Sequence, residues 1–142
     1  MIEQITVFLE NKQGRLAALA RCLGEAGVNM SALSIADAAD YGLVRIICDD
    51  SAKAHAALEE GGYRSLVTQV LAVGAPNRPG GLADLLEAFE SLEVNIEYGY
   101  CFSRKDDQAV MAIKIADAQD AVQVQGALEA AGFEILSQEE LG

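Results

Sequence analysis

The stretch NRPGGLADLLEAFESLEVNI (77–96) repeats NKQGRLAALARCLGEAGVNM (11–30) at an offset of 66 positions. Seven of the twenty positions are identical: Asn11/Asn77, Gly14/Gly80, Leu16/Leu82, Ala17/Ala83, Leu19/Leu85, Val28/Val94 and Asn29/Asn95. Ordinary residue usage would give about one or two matches. The similarity returns at LEEGGY (58–63) and LEAAGF (128–133), with the second copy four residues longer in between. Two copies point to a tandem duplication, because a solenoid needs roughly three or more stacked repeats.

Each copy carries the same order of patterns. In the first, ITVFL (5–9) alternates like a strand, and NKQG breaks that alternation with glycine and short polar residues. Leu16, Leu19, Leu23 and Ala26 then recur on one helical face, with Gly24 and Gly27 bringing the helix to its end. NMSALSIAD (29–37) and YGLVRIIC (41–48) read as a hairpin across a turn at Ala39 and Asp40. Asp49, Asp50 or Ser51 can cap a second helix that faces inward through Ala54, Ala57 and Leu58 and closes at Gly61 and Gly62. YRSLVT (63–68) completes β-α-β-β-α-β, the ferredoxin-like split unit.

The second copy reads VLAVG, the NRPGG loop, a helix through Leu82, Leu85, Leu86 and Phe89, strands IEYGYCF and AVMAIKI, a helix from Ala118 to Ala131, and a strand at FEILS. The fold class is therefore α+β: two βαββαβ units, 1–68 and 69–142, with antiparallel sheets covered by helices on one face. The junction YRSLVTQVLAVG (63–74) has no Pro, and no Gly before position 74, so no flexible linker separates the copies and they are expected to be held in a fixed relation.

Composition narrows the function classes. Ten basic residues against 22 acidic ones leave a net charge of −12, too few cations to neutralise many phosphates, which argues against nucleic acid and anionic membrane surfaces. Cys22, Cys48 and Cys101 are odd in number, lack CxxC spacing and lie in apolar stretches, so they read as packing thiols in a reducing compartment. An acidic N-terminal stretch, MIEQITVFLE, does not resemble a signal peptide, and no apolar run approaches the roughly 18 residues of a membrane span. A cytoplasmic location is expected.

Catalytic motifs are missing. His55, the single histidine, has neither an HExxH context nor a second histidine and reads as a surface or boundary residue, not a metal ligand. There is no GxSxG elbow, P-loop or GxGxxG fingerprint, and the carboxylate pairs Asp49/Asp50, Glu59/Glu60, Asp106/Asp107 and Glu139/Glu140 fall at loops and helix ends as solvated charge. No catalytic residue, cofactor or metal is assigned, and the chain is expected not to be an enzyme.

What remains is a loop present twice at the same point of the unit. Glycine at a strand-to-helix junction lets backbone approach a ligand closely, and the helix that follows offers unpaired N–H donors with a partial positive charge, a combination suited to a small carboxylate. Asn and Gly are also ordinary turn residues, so a duplicated turn without a ligand is the competing reading.

NRPGGL (77–82) followed by a helix and VNI (94–96) resembles the ACT domain, a ferredoxin-like regulatory module that binds amino acids and related small effectors. NKQGRL (11–16) with VNM (28–30) resembles it too, departing at Gln13 where the family often has proline. The resemblance implies a stand-alone ACT pair whose ligand is held between units by the loop of one and the following strand of its neighbour. The residues carried over are Asn11, Gln13, Gly14, Arg15 and Leu16 with Asn29, Met30 and Ser31, and Asn77, Pro79, Gly80, Gly81 and Leu82 with Asn95, Ile96 and Glu97. Arg15 aligns with Gly81 and Glu97 with Ser31, so the first loop has a cation for a carboxylate where the second has none, and the second copy has an anion for an ammonium group. If a zwitterionic amino acid binds between the units, this asymmetry predicts nonequivalent sites.

Tyr98, Tyr100 and Phe102 stand where the first copy has Ala32, Ser34 and Ala36, and alternation places them opposite the helices. An apolar patch there needs covering, which points to face-to-face sheet packing within the chain or in a homodimer, with a ligand wall or a half-exposed edge strand as the competing reading. The expected role is a sensor or regulatory protein whose ligand changes the arrangement of units read by a partner, such as a metabolic enzyme. The competing roles are a ligand-free oligomerisation module and, further off, a small acyl-phosphate hydrolase using Arg15 and Asn29.

Overall fold

The structure, a computed structural model, describes residues 1–36, 40–117 and 120–141. The chain divides into two compact units, Glu3–Thr68 and Gln69–Leu141, the latter including Met1–Ile2. Both are βαββαβ units in which an antiparallel sheet carries its helices on one face.

In the first unit the order is β1 (Ile2–Glu10), α1 (Arg15–Glu25), β2 (Met30–Ala36), β3 (Tyr41–Cys48), α2 (Ser51–Glu60) and the first part of β4 (Arg64–Pro76). Strand β3 pairs antiparallel with β1, from Ile5 opposite Ile46 to Glu10 opposite Tyr41. It also pairs with β2, from Met30 opposite Cys48 to Ala36 opposite Leu43. Alternation turns Ile5, Val7 and Leu9 of β1 inward with Val44, Ile46 and Cys48 of β3. Leu19 and Leu23 of α1, with Ala54 and Leu58 of α2, close over them. Burying each of the leucines contributes about 1.5–3 kcal/mol.

Helix termini follow local chemistry. The Asp50 carboxylate accepts the Lys53 N–H at 3.0 Å and caps α2. Gly27, at φ 76°, ends the α1 region, whereas Gly24 lies inside the helix and terminates nothing. Leu16 points away from the core and is exposed, as are Leu82 and Leu86 of the second copy, so the inward stripe of each first helix is narrower than the leucine spacing suggests.

The second unit continues β4 and adds α3 (Gly81–Ser91), β5 (Ile96–Lys105), β6 (Gln108–Ile115), α4 (Ala121–Ala130) and α5 (Gln138–Leu141). Strand β6 pairs with β4 and with β5, both antiparallel. Its core joins Leu71, Val73 and Ala75 to Leu85, Phe89, Ile113, Ile115, Val124 and Leu128. Strand β4 runs unbroken through the junction where no linker was expected.

The four extra residues of the second copy can be placed. Glu10 faces Tyr41 where Pro76 faces Gln108, so one residue enters the hairpin. The other three precede α4, since α2 and α4 stand 70 positions apart. FEILS, the last β element of the second unit, is reduced from the expected strand to a bridge. It makes one bridge, Ile135 to Val73, flanked by Gly74 N–H to Glu134 and Leu136 N–H to Ala72 carbonyls at 2.9 Å. The chain then turns at Ser137, whose Oγ lies 3.2 Å from a Glu140 carboxylate oxygen, and enters α5. Residues Asp37 and Ala39 of the expected hairpin and Ala118 of the expected helix start lie outside the described residues.

Edge strands also decide two side-chain environments. Leu33 and Ile35 are paired with the inward-facing Ile46 and Val44, yet remain 42% and 53% exposed because α1 and α2 leave β2 uncovered. Cys101 on β5 is likewise exposed, while Cys48 is buried and Cys22 half-buried, so the packing-thiol expectation fails for Cys101 alone. Tyr98 and Tyr100 pair with Lys114 and Ala112, on the face away from the helices, and are half-buried. The rings of Tyr100 and Phe102 lie tilted with centroids 6.4 Å apart.

Candidate functional site

The two strand-to-helix loops share one glycine conformation and one hydrogen-bond pattern. Gly14 has φ 85° and ψ −11°, and Gly80 has φ 85° and ψ −8°, left-handed geometry that glycine accepts without strain. Their hydrogen bonds correspond one for one. Asn11 N–H donates to Asp40 and Asn77 N–H to Asp107, both at 2.8 Å. Lys12 and Arg78 N–H reach the Glu10 and Pro76 carbonyls at 2.9 Å. Arg15 and Gly81 N–H close back on Lys12 and Arg78, and no side chain caps either helix. First-turn N–H groups are thus presented at the loop with the positive end of the helix dipole behind them.

Side chains distinguish the copies. In the first unit a cleft of about 120 Å³ is lined by Leu9, Glu10, Asn11, Lys12, Arg15, Leu16, Ile35, Gly42 and Val44. It gathers Asn11, Arg15 and Leu16 of the candidate residues, with Gln13 and Gly14 in the adjoining loop. The Glu10 carboxylate takes Lys12 at 2.8 Å and Arg15 at 3.2 Å. The hydrogen bond from Lys12, with the charges of Lys12 and Arg15, holds its carboxyl below the usual carboxylate range against a smaller opposing effect of burial.

The second loop carries a cation after all. Arg78, at the position of Lys12, turns onto Asp84 in the first turn of α3 at 2.7 Å, so the expectation that only the first loop offers a cation is incorrect. Asp84 places a negative charge on the dipole of α3, whereas α1 has no acidic residue in its first turn. Gly81 sits so close to the carbonyl of Pro76 that a Cβ there would overlap it, and Arg15 occupies the matching position in the first loop. Pro79, Gly80 and Leu82 remain exposed around this loop.

The strand residues lie elsewhere in their own units. Tyr41 at one end of β3 pairs with Glu10, and Cys48 at the other end pairs with Met30, so Asn29, Met30 and Ser31 stand roughly 20 Å from the first loop at about 3.3 Å per residue. Asn29 exchanges hydrogen bonds with Asp49, its N–H to the carboxylate and its carbonyl from the Asp49 N–H, both at 3.1 Å. Ser31 Oγ donates to Ile47 at 3.1 Å. In the second unit the Asn95 carbonyl accepts from Ala116, Ile96 pairs with Ile115, and Glu97 lies 3.8 Å from Lys114.

Reading by alignment missed Glu10, Ile35, Gly42 and Val44 as cleft walls. A signal existed for Glu10, an acid closing a strand two and five residues before Lys12 and Arg15. His55 bridges Ser65 Oγ at 2.8 Å and Glu59 at 3.1 Å. Among the described residues no group of three or more His, Cys, Asp or Glu side chains is arranged to hold a metal ion, and no helix is long and apolar enough to cross a membrane.

Comparison with known proteins converges on one family. A profile described as an ACT domain pair matches residues 1–131. The crystal structure of a protein from Bacteroides thetaiotaomicron is 33% identical, with a TM-score of 0.89 over 99% of this chain and 94% of its own. The ligand-free regulatory subunit of aspartate kinase from Thermus thermophilus is 20% identical at a TM-score of 0.67, covering 92% of each chain. Its counterpart from Thermus flavus is 21% identical at 0.63, covering 91% of each. These two show a shared fold. No curated protein matches the chain. With the profile spanning nearly its full length and a relative one-third identical throughout, the chain belongs to the family of ACT domain pairs.

Proposed function

We propose that this protein is a non-catalytic regulatory sensor that binds an amino acid or a related small carboxylate at its strand-to-helix loops. The observation that carries the reading is the loop itself: an uncapped helix N-terminus behind a left-handed glycine, built with the same hydrogen bonds in both units. A ligand carboxylate would accept the first-turn N–H groups of Leu16 and Ala17 or of Leu82 and Ala83, since those of Arg15 and Gly81 already close the loop turns. Asn29, Met30 and Ser31, or Asn95, Ile96 and Glu97, would then be supplied by a neighbouring unit, since within one unit they stand too far away. A ligand that joins two units favours the arrangement it bridges, and a partner protein such as a metabolic enzyme reads that arrangement. The half-buried Tyr98, Tyr100 and Phe102 support a homodimer formed through the helix-free sheet face, and we place the protein in the cytoplasm.

The two sites differ in strength. Lys12 and Arg15 flank the first loop and α1 has no acid in its first turn, while Asp84 already satisfies both Arg78 and the dipole of α3. The first loop is therefore the tighter carboxylate site. A thermal-shift screen of the twenty amino acids should find one or a few that raise the melting temperature, as a ligand selective for the folded state does. Isothermal titration of that ligand should resolve two affinities, the tighter one weakened by Arg15→Ala. No shift at millimolar concentrations of any amino acid would instead favour a ligand-free assembly module.

A further inference from the structure

A second cleft, of about 260 Å³, opens in the first unit at the end of β1 and includes Phe8, Glu10, Arg15, Tyr41, Tyr63 and Arg64 in its lining. It borders the amino-acid loop through Glu10 and Arg15 and extends from there toward the start of β4. Arg64 lies with its guanidinium carbon 5.4 Å from the centroid of the Phe8 ring. Among the described residues Arg64 has no carboxylate partner. A guanidinium attracted to an aromatic face still has N–H donors to offer an anion.

The duplication supplies an internal comparison. At the matching positions of the second unit stand Gly74 for Phe8, Pro76 for Glu10, Gly81 for Arg15, Gln108 for Tyr41, Phe133 for Tyr63 and Glu134 for Arg64. Both arginines are absent there. The space a side chain would take at position 74 is filled by the Gln108 amide, and Glu134 draws Lys105 to 2.9 Å. A turn or a packing contact kept by duplication would appear in both units, whereas this collection of two guanidiniums and three aromatic rings exists in one.

We propose that this cleft binds a small molecule that carries both an anionic group and an aromatic ring, with Arg64 on the anionic group, Arg15 beside it in its pair with Glu10, and Phe8, Tyr41 and Tyr63 around the ring. An aromatic carboxylate and a nucleotide share that chemistry. Isothermal titration distinguishes them, with benzoate and adenosine 5′-monophosphate as ring-bearing probes and acetate and inorganic phosphate as their ringless counterparts. At least one ring-bearing probe should bind ten-fold or more tightly than its counterpart. Arg64→Ala should weaken that binding at least ten-fold, and Arg64→Lys, which keeps the charge without the flat fork, should restore it only in part. Arg21→Ala, on α1 outside the cleft, should leave it unchanged. Equal affinity for ringed and ringless anions, or binding indifferent to Arg64→Ala, would overturn the proposal. Arg15 is shared with the amino-acid loop whereas Arg64 and Phe8 are not, so Arg64→Ala tests this cleft while the response of the amino-acid titration to Arg15→Ala tests that loop.

Discussion

Alanine at positions 80 and 81 should have different costs although the two glycines are neighbours in one loop. At Gly80 the space is open, the nearest heavy atom to a new Cβ being Arg78 Nη1 at 3.9 Å, so the cost is the left-handed strain at φ 85°, about 1 kcal/mol. At Gly81 a Cβ would overlap the Pro76 carbonyl oxygen and come within 2.8 Å of its carbon, and backbone cannot rotate aside as a side chain can. The turn must open. Two hydrogen bonds of 2.9 Å hold it, Arg78 N–H to Pro76 and Gly81 N–H to Arg78. Losing them at about 1 kcal/mol each, with some overpacking, gives about 2–4 kcal/mol. An unfolding entropy of about 2.1 cal/mol/K per residue over 142 residues converts these to a fall in Tm of about 3 °C for Gly80→Ala and about 7–13 °C for Gly81→Ala. Arg15→Ala, at the position matching Gly81, should stay within about 2 °C, because the first loop already accommodates a Cβ there. Differential scanning calorimetry of the three variants decides it. Gly81→Ala melting within 3 °C of wild type would refute the close approach to Pro76.

Lys105 ties the β5–β6 hairpin to the C-terminal segment through Glu134 at 2.9 Å and Glu140 at 3.4 Å, and the hydrogen bonds to these two carboxylates raise its pKa above the ordinary 10.5. A raised folded pKa stabilises fully below the unfolded value and is lost as pH rises through the folded one, so in urea titrations Lys105→Met should be less stable than wild type at pH 7–9 and converge with it as pH rises past the folded pKa. Burial raises the pKa of the Cys48 thiol, and with Cys101 exposed, a disulfide reagent at pH 8 should label Cys101 in native protein and reach Cys48 only after denaturant is added; early labelling of Cys48 would contradict its burial.

Local signals carried the unit. A glycine after a strand, leucines at helical spacing and an acid before a helix each act within a few residues, so the loops at Gly14 and Gly80, the β2–β3 and β5–β6 strand pairs and a cap among Asp49, Asp50 and Ser51 were legible, and the structure chose Asp50. Edge effects were not legible. Leu16, Leu82 and Leu86 fit the helical stripe but stand where no element covers them, and Cys101 sits on an uncovered strand for the same reason. FEILS has the composition of a strand, yet after one bridge the chain turns at Ser137 into α5.

For the site, alignment of the copies located the paired loops, because loop conformation is a local property of Asn, Gly and the residues between them. It could not say where the charges go. Arg78 and Lys12 occupy the same position and differ in destination, one drawn to Asp84 in its own helix and the other to Glu10 on the preceding strand. An ion pair is chosen by distance in space. Duplication and fold therefore follow from sequence pattern, while the inequality of the two loops follows from which carboxylate each cation meets once the strands and helices have packed.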